Sequence, residues 1–198
     1  MNLSTATSLD MPFILDLYQK AFPESERKPF SLIERKAAMG SMEILVINEG
    51  GRRCGLAITA MGPDTDLVLL DYFAISEEYR GMGIGTEAIL LLKELYCDRQ
   101  FFLEIEELDE TAPNKEERIR RKQFYLRNGM LETGIRVSLF HVDMELLASK
   151  PGLTFEECEK LYRELLGPAY GNIVKQLCSG WFFERKQLSG LLGIGSDA

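Results

Sequence analysis

The chain has 198 residues, of which 45% are hydrophobic, enough for one domain of ordinary size with a substantial core. Its formal net charge of −8 disfavours nucleic acid as a partner, because an acidic surface repels phosphate backbones. The longest purely apolar run covers only residues 88–92, so no membrane-spanning helix and no membrane partner are expected. The start of the chain lacks the pattern of a secretion signal, and the four cysteines have no C-x-x-C spacing, which indicates free thiols and a cytoplasmic protein. Because the chain has only one histidine and its cysteines are not clustered, no bound metal is expected.

The first half of the chain predicts two helices followed by three strands. Apolar spacing favours a helix over 11–22 and a shorter one near 31–39, and the polar segment 23–30 separates them. Strand patterns separated by turn signals follow as an antiparallel meander, over 42–48, 53–61 and 66–76. The third strand is nearly continuous in hydrophobicity, so it is predicted to be central.

The second half predicts further alternation and then an appended segment. After a glycine-rich loop come a helix over 86–97, a strand over 101–106, a helix over 115–128 and strands over 134–140 and 142–148. Pro151-Gly152 marks a break, and a capping-box pattern starts a helix that runs to about Leu166. A further helix is predicted over 169–178, before a flexible tail at 190–198. The predicted organisation is therefore a domain over 1–150 and a C-terminal helical extension with a tail over 151–198.

The glycine-rich loop over residues 79–86 lies between a strand and a helix, where backbone N–H groups can approach a phosphate. A Walker A motif is excluded, because the Lys-Ser/Thr pair after the last glycine is absent. The run from Gly83 to Ala88 fits the G-x-G-x-x-A dinucleotide fingerprint, with Glu104 about twenty residues on. Residues 76–79 intervene after the strand, however, and the preceding strands form a meander rather than βαβ units. Glycines at such a junction also occur for close packing alone.

A resemblance to a known family carries the interpretation further. The motif Arg80-x-x-Gly83-x-Gly85 resembles the acetyl-CoA signature Q/R-x-x-G-x-G/A of the GNAT superfamily of N-acetyltransferases. The segment from Phe124 to Met130, with Tyr125 and Gly129, is similar to the later F-Y-x-x-x-G-F element of that family. The order of predicted elements from residue 1 to about 148 also resembles it. The resemblance implies an α/β (α+β) fold with a mixed, mostly antiparallel central sheet flanked by helices, and the extension lies outside it.

The resemblance also implies how acetyl-CoA, as co-substrate, would be held. Arg80 would add charge to a pyrophosphate cradle made by the loop, which consists of Gly81, Met82, Gly83, Ile84, Gly85 and Thr86. The pantetheine arm would run along the preceding strand, at Phe73, Ala74 and Ile75. On the later helix, Tyr125 would be the general acid for the thiolate, or else a core aromatic. Arg118 stands where the family often has an Asn; with Arg121 and Lys122 it could reach the 3′-phosphate or form a solvated basic face.

The candidates for the general base are acidic residues on two predicted strands. Asp71 is a lone carboxylate within an apolar run, so it must have a partner or a raised pKa; it is either the base or a structural hydrogen-bond acceptor near a strand bulge. Glu104 and Glu106 alternate onto one strand face, where they could bind a cationic amine or supply the base through water, or be merely solvated.

The predicted function is direct transfer of an acetyl group from acetyl-CoA to a primary amine of a small molecule or peptide. A non-catalytic acyl-CoA-binding module and, less favoured, a dinucleotide-binding oxidoreductase remain as alternatives. The apolar face of the 154–166 helix needs cover, which leaves a homodimer possible.

Overall fold

The computed structural model of the chain describes residues 1–63 and 65–177. Within them, eight strands form one sheet in the order β1-β2-β3-β4-β5-β7-β6-β8. The strands are β1 (Asn2–Thr5), β2 (Met42–Glu49), β3 (Arg52–Met61), β4 (Leu67–Ile75), β5 (Gln100–Glu106), β6 (Leu131–Leu139), β7 (Val142–Ala148) and β8 (Val174–Leu177). The helices are α1 (Met11–Ala21), α2 (Phe30–Ala38), α3 (Ile84–Leu95), α4 (Lys115–Arg127), α5 (Phe155–Leu166) and α6 (Tyr170–Ile173).

The predicted fold class, a mostly antiparallel mixed sheet flanked by helices, is confirmed. The predicted helix over 169–178 is wrong for most of its length, because the helix ends at Ile173 and the next four residues form β8. This strand pairs antiparallel with β6, whose outer backbone groups would otherwise lack a strand partner. Residue 178 and the predicted tail at 190–198 lie outside the described residues.

Two apolar layers cover the sheet, one on each face. On one face α1, α2 and α5 pack against residues that include Leu69, Tyr72 and Phe102. On the other face α3 and α4 pack against residues that include Leu70 and Leu103. In the described part of the chain, none of these helices has the length and apolarity that crossing a membrane requires.

The two central strands separate at one end of the sheet. β4 and β5 form the parallel pair, from Leu67 opposite Gln100 to Leu70 opposite Leu103, and their pairing stops there. At the same point β4 has a bulge, because Thr59 of β3 faces Leu70 and Ile58 faces Tyr72, so that Asp71 has no opposite residue. The second half of β4 therefore has β3 on one side only, and a gap opens towards β5.

Candidate active site

The glycine loop presents open backbone beside the gap. Gly81 and Gly83 have φ values of 76° and 83°, which L side chains rarely adopt, and no heavy atom lies within 4 Å of where a Cβ would be. Gly83 is the N-cap of α3, and no side chain caps the helix. In the described part of the chain, the N–H groups of residues 81–86 donate to no other group. These N–H groups, at the positive end of the helix dipole, can therefore donate hydrogen bonds to an anionic ligand.

Gly85 has room for a Cβ as well. A Cβ at this position would lie 3.4 Å from the Phe124 ring of α4, which is ordinary van der Waals contact. The packing explanation considered from the sequence therefore does not account for this glycine.

The predicted pantetheine strand leads directly into the loop. Phe73, Ala74 and Ile75 pair with residues 55–57 of β3, and their other edge faces the gap. The Nε of Arg80 donates to the carbonyl oxygen of Ile75 at 3.2 Å, which ties the exposed loop to the strand end. Phe73 also stacks on Phe124, with ring centroids 6.5 Å apart. The two sets of predicted cofactor residues therefore form one continuous surface.

Glu104 lies on β5 one residue beyond Leu103, the last residue of β5 that pairs with β4. Burial raises the pKa of its carboxyl to about 7, and the nearby Asp71 carboxylate raises it too. The hydroxyl of Tyr162, on α5, donates to Oε1 of Glu104 and acts in the opposite direction, as does the charge of Lys28. Such a carboxyl changes its protonation near neutral pH, as a general base requires.

Asp71 has a charged partner, which is the first of the two possibilities given by the sequence. Both of its carboxylate oxygens lie 2.6 Å from Nζ of Lys28, in the loop between α1 and α2, and the Asp71 side chain is 8% exposed. The backbone N–H of Lys28 donates to the Tyr72 hydroxyl at 3.1 Å, and the Tyr18 hydroxyl donates to the Lys28 carbonyl oxygen at 3.1 Å. The ion pair thus holds this loop against the bulge of β4.

Tyr125 lies on the opposite face of the sheet from Glu104. It belongs to the apolar layer of α3 and α4, together with Leu70, Leu103 and Ile105. Burial raises the pKa of its phenol to about 12, and the charge of Arg121 partly offsets this. The phenol therefore stays protonated at neutral pH and can serve only as a proton donor there.

The basic residues of α4 already have acidic partners. Arg118 lies 2.8 Å and Arg121 3.4 Å from the carboxylate of Glu106, and Arg118 also donates to Asn114. Lys122 forms ion pairs at 2.5 Å with Glu132 and at 2.7 Å with Glu145. These ion pairs explain the basic face of α4 without a bound phosphate. They also show that Glu106 differs from Glu104, because arginines pair with Glu106 whereas Tyr162 donates to Glu104.

Two residues of the site were not singled out from the sequence. Lys28 falls within the polar 23–30 segment, which the sequence predicts only as the connection between two helices. Tyr162 falls within the predicted 154–166 helix, where apolar spacing indicates only a buried face. The lone carboxylate at Asp71 did indicate either a partner or a raised pKa, but it did not indicate which residue the partner is.

Comparison with known proteins agrees with this geometry. Residues 11–129 match the sequence profile of the GNAT acetyltransferase family. The chain belongs to this family. The protein is accordingly an acetyltransferase, and the family match disfavours the oxidoreductase and the non-catalytic binding module. The antiparallel meander of β2, β3 and β4 also differs from a dinucleotide-binding fold.

Solved structures show the same fold. A protein described as a GNAT-family acetyltransferase from Bacteroides thetaiotaomicron is 21% identical, with a TM-score of 0.68 over 86% of this chain and 99% of that one. Spermidine N-acetyltransferase from Vibrio cholerae, in complex with CoA and spermine, is 14% identical, with a TM-score of 0.58 over 74% of this chain and 93% of that one. Ribosomal-protein-S18-alanine N-acetyltransferase from Escherichia coli is 18% identical, with a TM-score of 0.52 over 74% of this chain and 91% of that one. A search of curated proteins gave no significant match.

Proposed function

We propose that this GNAT enzyme transfers the acetyl group of acetyl-CoA directly to a primary amine of a small cationic molecule or a peptide. The observation that carries the proposal is the gap between β4 and β5. An open glycine loop lies at its end, a phenol lies on one face, and a carboxyl with a pKa near neutrality lies on the other.

The residues present fit acetyl-CoA. When bound, acetyl-CoA supplies an activated acetyl group and a thiolate leaving group. Residues 81–86 would bind the pyrophosphate through their N–H groups, and Arg80 would add a positive charge. The free edge of Phe73, Ala74 and Ile75 would pair with the pantetheine amides, and a backbone N–H there would donate to the thioester oxygen.

The chain's own acid and base groups divide the proton transfers. Glu104 would take the proton from the incoming ammonium, directly or through water, because its carboxyl is deprotonated above about pH 7. Tyr125 would give a proton to the leaving sulfur, because its phenol is protonated at that pH. Asp71 becomes the less favoured base, since Lys28 occupies both of its oxygens.

A cationic acceptor is favoured by the charge around the site. The chain is acidic overall, and Glu26, two residues before Lys28 in the chain, has a pKa raised by burial and then by the nearby Glu106. Such negative potential attracts amines with more than one positive charge. The substrates named for two structural neighbours, spermidine and an alanine of ribosomal protein S18, are both acetylated on nitrogen.

Ligand binding and turnover test the proposal separately. Thermal unfolding is measured with acetyl-CoA, CoA and NAD at concentrations from micromolar to millimolar, and stabilisation by acetyl-CoA but not NAD is expected. Free-thiol release is then followed across polyamines, lysine, peptides with a free N-terminus and neutral amines. Absence of stabilisation by acetyl-CoA would refute the proposal, and binding without thiol release for any amine would leave only a binding role.

A further inference from the structure

Helix α5 reaches the active-site gap from outside the region that defines the family. The family match ends at residue 129, whereas α5 begins after Thr154, whose side chain forms a capping box with Glu157. Its apolar side, with Cys158, Leu161 and Tyr162, is buried against the face of the sheet that carries Glu104. This part of the chain therefore forms one wall of the gap.

The contact between Tyr162 and Glu104 is polar within an otherwise apolar layer. Tyr162 is 3% exposed, and its hydroxyl donates to Oε1 of Glu104. Among the described residues, no group donates a hydrogen bond to Oε2 of the same carboxyl. One oxygen is thus held in place and the other stays available, as a group that must accept a proton from a ligand requires.

We propose that Tyr162 is a positioning residue, which orients the Glu104 carboxyl and keeps it ionised, so that α5 completes the acceptor side of the active site. The inference rests on the proposed function for the role of Glu104 as base, whereas the contact itself does not depend on it. The Tyr162 hydroxyl stabilises the charged form of the Glu104 carboxyl by donating a hydrogen bond to it. A phenylalanine ring of the same shape would leave that carboxylate buried without a donor.

Three groups act on the Glu104 carboxyl from the elements packed around it: Tyr162 of α5, Asp71 of β4, and Lys28 of the α1–α2 loop, which supplies the positive charge. Cys158 of α5 is also near, and burial and then the Glu104 carboxylate raise the pKa of its thiol. Of the α5 residues, Tyr162 alone donates a hydrogen bond to Glu104. Removing the Tyr162 hydroxyl changes the environment of the carboxyl without changing any formal charge.

The test measures the titration of Glu104 in the full chain, by NMR of protein labelled with ¹³C at the glutamate carboxyl carbon. The resonance of Glu104 is the one that Glu104→Gln removes. We expect Tyr162→Phe to raise its midpoint by on the order of one pH unit. The acid side of the kcat profile should move by the same amount, with activity recovered at high pH. The matched control is Tyr170→Phe, which removes a hydroxyl that lies 3.0 Å from Glu159 and donates no hydrogen bond to Glu104, and which should move neither.

An unchanged midpoint in folded Tyr162→Phe protein would overturn the proposal, and so would equal shifts in both variants. If Tyr162→Phe does not fold, the wild-type protein decides: the ¹³Cζ resonance of Tyr162 should shift with the midpoint of Glu104, and an independent response would refute the contact. The NMR titration needs neither acetyl-CoA nor an acceptor. A wild-type protein without turnover would therefore count against the proposed function and leave this measurement valid.

Discussion

The ion pair between Lys28 and Asp71 is predicted to stabilise the fold because the carboxylate of Asp71 is almost fully buried. The Asp71 side chain is 8% exposed and that of Lys28 is 25% exposed. Lys28→Met keeps the apolar stem and removes the charge, so that the Asp71 carboxylate is left without its cation. The hydrogen bonds of Tyr18 and Tyr72 to residue 28 are retained, because they involve its backbone.

The expected cost follows from burial. Removing one partner of a buried ion pair costs about 3–5 kcal/mol, and the exposure of Lys28 reduces this, since water can reach the vacated position. We therefore expect Lys28→Met to lower the free energy of unfolding by about 2–3 kcal/mol, a change of about 30- to 150-fold in the unfolding equilibrium. For a chain of this size, that corresponds to a melting temperature lower by roughly 4–12 °C.

Equilibrium urea unfolding of four proteins measures this cost: wild type, Lys28→Met, Asp71→Asn and the double variant. The double variant should be more stable than Lys28→Met alone, because it buries no unpaired charge. Lys20→Met is the control, since its ion pair with Asp16 on α1 is 72% and 61% exposed and should contribute nothing measurable. The reasoning is refuted if Lys28→Met behaves like Lys20→Met, or if the double variant is no more stable than Lys28→Met.

Three further predictions concern the loop, the phenol and the carboxyl. Gly83→Ala should raise the KM for acetyl-CoA about tenfold. The control is Gly50→Ala in the β2–β3 turn, where φ is also positive at 56°; it should introduce a similar backbone strain and leave the KM unchanged. Equal KM values in the two variants would contradict a pyrophosphate cradle at the loop. Tyr125→Phe should lower kcat by about a hundredfold in thiol-release assays while acetyl-CoA still stabilises the protein, and an unchanged kcat would leave Tyr125 a core aromatic. Because burial raises the pKa of Glu104 from 4.5 to about 7, wild-type stability relative to Glu104→Gln should be greatest below about pH 4.5 and decrease by about 3 kcal/mol as the pH rises through 7. Urea unfolding at several pH values measures this stability difference. If the difference does not change with pH, folding does not raise the pKa of the Glu104 carboxyl.

Local patterns were sufficient to predict most of the fold. The strands of the meander and the amphipathic helices have strong periodicities, and the glycine loop has its open backbone N–H groups within a few residues of one another. Strand β8 could not be predicted this way, because its four residues form a strand only by pairing with β6. Its sequence alone does not distinguish it from the end of the preceding helix.

The site was less predictable where contacts join distant parts of the chain. Asp71 and Lys28 are 43 residues apart, and Tyr162 and Glu104 are 58 residues apart. The hydrophobic pattern of α5 correctly buried Tyr162, but a pattern of apolar spacing contains no information about where a hydroxyl finds its partner. The same holds for the arginines of α4, whose charge suggested a phosphate until the fold placed Glu106 beside them.

The bulge at Asp71 explains why the acid and base groups can be divided between the two faces of the sheet. Val68 and Leu70 point towards α3 and α4, and regular alternation would place Tyr72 there as well. Instead the extra residue shifts the alternation by one: Tyr72 packs against Tyr18 on the α1 side, and Phe73 packs against Phe124 on the α4 side. The carboxylate of Asp71 can then meet Lys28 on the face that carries Glu104, while the edge beyond it leads into the glycine loop. In the proposed function, one inserted residue would thus divide the acceptor side and the cofactor side between opposite faces of the same gap, which is the arrangement that direct transfer between two bound substrates requires.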